Sequence, residues 1–173
     1  MKIADVLEEK HQIGTYAGVH FSEKTKNEIH EYMQLNHIPN ELSPSKLHTT
    51  LLYSRKYLPD YKAVGKYDKP MIGIPGNFDI WKSNGEDGEP TNCLIVEFEC
   101  EELNERHDNL MKEHKATYDY PKYKTHITLS YDCGELDPKK LMPFKKIVKK
   151  IEIVEEYQEI LDLNWAKNKG TSK

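Results

Sequence analysis

No apolar run in the 173-residue chain approaches the roughly 20 residues needed to cross a bilayer. Residues 1–10 alternate charged and single apolar side chains, without the continuous apolar segment of a signal peptide. The expectation is a cytoplasmic protein. Cysteine is scarce and odd in number: Cys93, Cys100 and Cys133 form no Cys-x-x-Cys and read as free thiols of a reducing compartment. Positive charge is not in excess either, with 25 Lys and Arg against 29 Asp and Glu and a net charge of −4. That balance excludes a protein that tracks long nucleic acids by neutralising phosphates, but it suits a small anionic ligand in a local pocket. Metal-ligand spacing is absent too. His30-Glu31 begins a zinc-protease pattern, but Gln34 stands where its second histidine belongs. Neither a metal nor another cofactor is expected.

What the chain has is a phrase used twice, once in each half. His48-Thr49-Thr50-Leu51-Leu52-Tyr53 and His126-Ile127-Thr128-Leu129-Ser130-Tyr131 both read His-x-Thr-Leu-x-Tyr, each after a proline-containing lead-in with Pro44 or Pro121. In an extended strand alternate residues share a face, so each copy projects a histidine and a threonine from one side of a sheet.

The elements around the phrases also recur. Residues 1–11 read as a short helix or lead-in. Residues 13–21 alternate as a strand, with Tyr16 between Gly14 and Gly18 on a face that these small residues would leave open to a ligand. Packing of Tyr16 within the sheet is the competing reading. Ser22 caps a helix running to about residue 37, with Ile29 and Met33 as its apolar seam. The proline-, glycine- and tyrosine-rich residues 57–76 read as loops with one short edge strand, and as a lid over the site. A short strand over 77–82, a polar turn and a strand over 91–99 follow. Residues 101–115 form a second helix whose stripe holds Leu103, His107, Leu110, Met111 and His114. Two closing strands, 146–156 and 158–165, complete the pattern. The expected architecture is α+β, with two pseudo-symmetric lobes, each an antiparallel sheet with a packed helix, and the active cleft between them. Residues 1–166 form this single domain and 167–173 a disordered tail.

Of eight histidines, only His48 and His126 have matched neighbours and positions. His107 and His114 share an apolar helix stripe and read as packing residues. Near neutral pH one imidazole of a pair can be neutral while the other is protonated. The first takes a proton from an attacking hydroxyl, and the second donates to the departing oxygen. Thr50 and Thr128 would hydrogen-bond the non-bridging phosphate oxygens. This is metal-independent phosphodiester chemistry, with the acid and base roles left open.

With these residues the chain resembles the 2H phosphoesterase superfamily, defined by two His-x-Thr/Ser motifs on the lobes of a pseudo-symmetric fold. Within it, Gly14-Thr15-Tyr16-Ala17, both phrases and the closing Glu159-Ile160-Leu161-Asp162-Leu163-Asn164-Trp165 resemble the phage anti-CBASS phosphodiesterases. The resemblance implies cleavage of 3′–5′ bonds in the cyclic di- and trinucleotide messengers of bacterial CBASS defence, inside the host cytoplasm. Tyr16, Glu159 and Trp165, with Trp81 and Tyr118 on the same logic, would then bind substrate by stacking and base contacts. Without the resemblance, Glu159 and Trp165 read as a rim carboxylate and a core cap. Two other functions compete: a 2H enzyme acting on RNA ends or 2′–5′ linkages, and a non-catalytic protein that sequesters nucleotides.

Overall fold

The computed structural model describes residues 12–85 and 87–163; the helix read over residues 1–11 and the tail after 166 lie outside them. In chain order the elements are β1 (Ile13–Phe21), α1 (Glu23–Leu35), β2 (Thr49–Ser54), β3 (Gly65–Asn84), β4 (Pro90–Glu99), α2 (Glu101–His114), β5 (His126–Ser130) and β6 (Ile151–Asp162). The architecture is α+β. Six antiparallel strands lie in the order β2-β1-β6-β3-β4-β5, so the two His-x-Thr strands occupy opposite edges.

The helices begin as their sequences dictate. Ser22 accepts the Thr25 amide at 3.1 Å, and Glu23 sits in the first turn of α1. Ile29 and Met33 are buried as the apolar seam predicts, joined by Thr25 and Tyr32. Tyr32 reaches Phe78 of β3 and Phe144 at ring separations of 5.8 and 5.0 Å. On α2, Leu103, His107 and Leu110 are buried. His107 stacks on Tyr123 at 4.0 Å, and its Nδ1–H donates to the Leu51 carbonyl at 2.8 Å. Burial pushes its pKa down, so it is a neutral packing histidine.

Of residues 57–76, read as loops with one short edge strand, 57–64 are loop but 65–76 are not. From Gly65 they form the first half of β3, a 20-residue strand that also absorbs the short strand read over 77–82. Its first half pairs with β6 and its second half with β4, which makes it the spine shared by both lobes. Its prolines and glycines fall where the ladder is irregular: Pro70 lies in the register break between Lys66 and Met71, and a second break follows Pro75. Gly73 is required by packing, since a Cβ there would stand 2.6 Å from the Phe98 ring. The loop that remains, 57–64, is anchored to the sheet. The Leu58 amide is held by Thr15 Oγ1 at 2.9 Å and the Val64 amide by Glu156 at 3.0 Å. The two closing strands are likewise one, β6, because Phe144–Lys146 form a 3₁₀ turn and pairing with β1 runs unbroken through Tyr157 and Gln158.

Each helix delivers chain to the opposite edge. After α1, the Pro39 carbonyl accepts from Ser130 Oγ at 2.7 Å and the Leu42 amide donates to Leu129 at 2.9 Å, both on β5. After α2, Thr117 bonds Ser54 and Arg55, and Tyr123 Oη donates to the Thr50 carbonyl at 2.6 Å, all around β2.

Glu156 of β6 is 1% exposed and accepts from Arg106 at 2.9 and 3.0 Å, Tyr61 Oη at 2.9 Å, Tyr67 Oη at 3.2 Å and the Val64 amide. Burial alone would raise its pKa; the bonds from Arg106, Val64 and Tyr61 outweigh that and hold it below the usual range. A lowered carboxyl pKa contributes stability that is present above the unfolded value and lost as pH falls through the folded one. Replacing Arg106 by Met leaves a buried unpaired carboxylate and is expected to cost about 3–5 kcal/mol at pH 7 by urea unfolding. The gap to wild type should narrow as the pH is lowered and Glu156 protonates; a constant gap would show that the charge is not its cause.

Candidate active site

The sheet curls until its edges meet. Thr49 Oγ1 on β2 donates to the His126 carbonyl on β5 at 2.8 Å, and Glu41 bridges to Ser130 beside it. His48, Thr50, His126 and Thr128 therefore line one cleft of about 400 Å³. Each imidazole is set in the same way. His48 Nδ1–H donates to the Lys46 carbonyl at 2.9 Å, and His126 Nδ1–H to the Lys124 carbonyl at 3.0 Å. In both cases the carbonyl two residues upstream dictates the tautomer and leaves Nε2 for chemistry.

The pair is not electrically symmetric. Trp81 lies against His126, with ring centroids 4.3 Å apart, whereas His48 meets only the edge of Tyr16 at 6.3 Å. Desolvation pushes the His126 pKa below 6.5; the charge of His48 adds to this, and the Lys124 carbonyl opposes it. No group of three or more His, Cys, Asp or Glu is placed to hold a metal among the described residues.

Trp81 and Tyr118 line the cleft alongside the histidines. Tyr16 borders it, its hydroxyl 3.1 Å from Thr50 Oγ1 and its pKa pushed far up by burial and then by Tyr157. The open face expected around Tyr16 is filled. A Cβ on Gly18 would lie 2.7 Å from the Tyr157 ring, and one on Gly14 would strike the Ser54 carbonyl, so these glycines admit protein rather than ligand. Glu159 pairs with Tyr16 across β1 and β6, hence on the same sheet face, but it is exposed and outside the lining of the cleft. Trp165 lies outside the described residues.

Tyr53 and Tyr131 also line the cleft, against simple alternation, which puts them on the face opposite His48 and His126. The reason is a matched pair of bulges. On β2, Thr50 pairs with Gly18 and Leu52 with Ala17, so Leu51 is an extra residue. On β5, Thr128 pairs with Ile95 and Ser130 with Leu94, so Leu129 is the extra residue. A bulge turns two successive residues inward and restores the next one to the site face. Leu51 with Leu52, and Leu129 with Ser130, are accordingly all buried. The signal was the repeated Tyr at the end of each phrase. Residues 117–123 supply the other missed wall, Asp119 and Tyr120, held by a two-pronged Arg55–Asp119 bond at 2.8 and 3.1 Å.

The paired His-x-Thr motifs face one cleft of an α+β fold, the arrangement that the resemblance to the 2H phosphoesterase superfamily implies. Solved structures of E. coli LigT, one complexed with phosphate and one with 3′-AMP, align over 86% and 85% of the chain and 86% of their own chains, at 12% and 14% identity and TM-scores of 0.49 and 0.48. Residues 13–168 match the model of the family "Anti-CBASS protein Acb1", and the chain belongs to that family. The protein of that name from Vibrio phage KVP40 is 34% identical over 97% of this chain and 99% of its own. The one from Acinetobacter phage Ac42 is 32% identical over 95% and 99%.

If the indole is what dries His126, Trp81→Ala should raise the His126 pKa towards 6.5. A pH titration of the His126 imidazole resonances by NMR measures it. An unmoved His126 would assign its desolvation to other walls of the cleft.

Proposed function

We propose that the chain is a metal-independent phosphodiesterase that opens 3′–5′ bonds of cyclic di- and trinucleotide messengers and so counteracts bacterial CBASS defence in the host cytoplasm. The observation that carries this reading is the convergence of two tautomer-fixed imidazoles and two threonines from opposite sheet edges on one cleft. The cleft is walled by Trp81, Tyr118 and Tyr120, flat faces on which bases stack with little sequence preference. A net charge of −4 favours a small cyclic ligand over long RNA.

In the proposed reaction a ribose 2′-hydroxyl attacks the adjacent phosphorus. One histidine accepts its proton, the other donates to the departing 5′-oxygen, and the ring opens to a linear strand with a 2′,3′-cyclic phosphate. Water addition to that terminus would complete hydrolysis. The lowered pKa of His126 keeps it neutral and suits it to the base role, with His48 as the acid. Thr50 and Thr128 hold the non-bridging oxygens as charge builds on them. Tyr16, Glu159 and Trp165 join Trp81 and Tyr118 as base contacts in this reading.

Incubation in EDTA with 3′,3′-cyclic dinucleotides, cyclic trinucleotides, 2′–5′ oligoadenylate and RNA ending in 2′,3′-cyclic phosphate tests the proposal. Cyclic substrates should be linearised. Consumption of the RNA or 2′–5′ substrates alone would move the activity to RNA ends or 2′–5′ linkages, and recovery of intact cyclic ligand would make the protein a sequestering one. His48→Ala and His126→Ala should each reduce kcat at least about 10³-fold, by loss of an acid or a base. The kcat/KM profile should be bell-shaped. Because the base must be neutral and its pKa is lowered, its acidic limb should fall below pH 6.5.

A further inference from the structure

Trp81 lines two cavities. One is the cleft of the two histidines. The other, of about 300 Å³, shares Trp81, Tyr118, Tyr120 and His126 with it and adds Lys122 and Lys124. The indole common to both is fixed in advance: its Nε1–H donates to Asp79 Oδ2 at 3.0 Å, and Asp79 Oδ1 accepts from the Ile80 amide at 2.8 Å. Tyr120 is 69% exposed while lining both cavities, a large ring with stacking surface to spare.

The two lysines belong to the lead-in of β5. Thr125 still pairs with Phe98 of β4, whose amide donates to the Thr125 carbonyl at 3.1 Å, so Lys124 and His126 alternate onto one side. Lys124 thus stands about 7 Å along the chain from His126, and Lys122 lies beyond it. Both lysines are exposed. Among the described residues neither side chain has a hydrogen-bond or ion-pair partner, although Glu97 and Glu99 line a groove beside them. The duplication of the chain stops here: the matching positions before His48 are Pro44 and Lys46, so only the second lead-in carries two cations.

A cyclic oligonucleotide held by one phosphate at the histidines must place a neighbouring nucleoside, and a second phosphate beyond it, within one nucleotide of that point. We propose that the second cavity is the subsite for that neighbour: its base stacks against Trp81 and Tyr120, and Lys122 and Lys124 bind its outer, uncleaved phosphate. The assignment deepens the phosphodiesterase reading and rests on it for the phosphate placed at the histidines. Stacking accepts any base, and two unpaired ammonium groups are point charges suited to a phosphate. The subsite therefore favours a nucleoside with phosphate on both sides. Every cyclic di- or trinucleotide has one, and a dinucleoside monophosphate does not.

The test uses three 2′-deoxy dinucleotides, which lack the attacking hydroxyl: d(ApA), and the same with an added 5′- or 3′-terminal phosphate. Their Kd values are measured by NMR titration at low salt. At least one phosphorylated form should bind the wild type about fivefold more tightly than d(ApA), and the end that does so shows which nucleotide occupies the subsite. In the variant carrying Lys122→Gln and Lys124→Gln that advantage should vanish. Both residues are exposed and the Lys124 carbonyl stays in place, so the fold and the His126 tautomer are kept. Tyr120→Ala should weaken all three probes about tenfold by removing a stacking face. Equal affinities for the three probes, no binding of any, an advantage that survives in the lysine variant, or an unaffected Tyr120→Ala would each overturn the proposal. Binding is read here apart from cleavage. A protein that shows the lysine-dependent advantage but opens no cyclic nucleotide would refute the phosphodiesterase reading and leave the subsite standing.

Discussion

The buried carboxylate of Glu156 is the constraint on which the arrangement depends. It sits on β6, the strand between β1 and β3, and reaches Arg106 on α2 and the hydroxyls of Tyr61 and Tyr67. One side chain thereby fixes the helix of the second half against a central strand and ties down the crossing that leads into β3. A buried charge tolerates no slack, since every lost partner leaves an uncompensated ion. It is therefore better suited to setting geometry than to adding stability.

From that centre the two edges are brought together by chain that crosses over. The segment after α1 bonds to β5, and the segment after α2 bonds to β2. The clasp between Thr49 and the His126 carbonyl is the last link, modest in energy but direct, since it joins the two phrases to each other. Pseudo-symmetry supplies two equivalent imidazoles; Trp81 over one and Tyr16 beside the other make them unequal. The proposed division into base and acid draws on that inequality.

Much of this was legible along the chain. Alternation marked β1 and β4, the Ser22 cap marked α1, and the doubled phrase singled out His48 and His126 among eight histidines. Illegible parts were those where a distant partner overrides a local signal. Pro70, Pro75, Gly73 and Gly76 read as breaks, yet they sit inside β3 because its register shifts there and the Phe98 ring needs the space over Gly73. Gly18 read as an opening for ligand, and Tyr157, far along the chain, fills it.

The sequence by itself determined which groups are available and which pairs share a face: His48 with Thr50, and His126 with Thr128, because strand alternation is a local rule. Only the tertiary structure decided that these pairs meet, that Trp81 packs against one imidazole, and that Tyr131 stands on the site face with Thr128. The last point turns on a single extra residue per strand. A bulge is defined by what lies opposite, and the opposite strand is not written in the phrase.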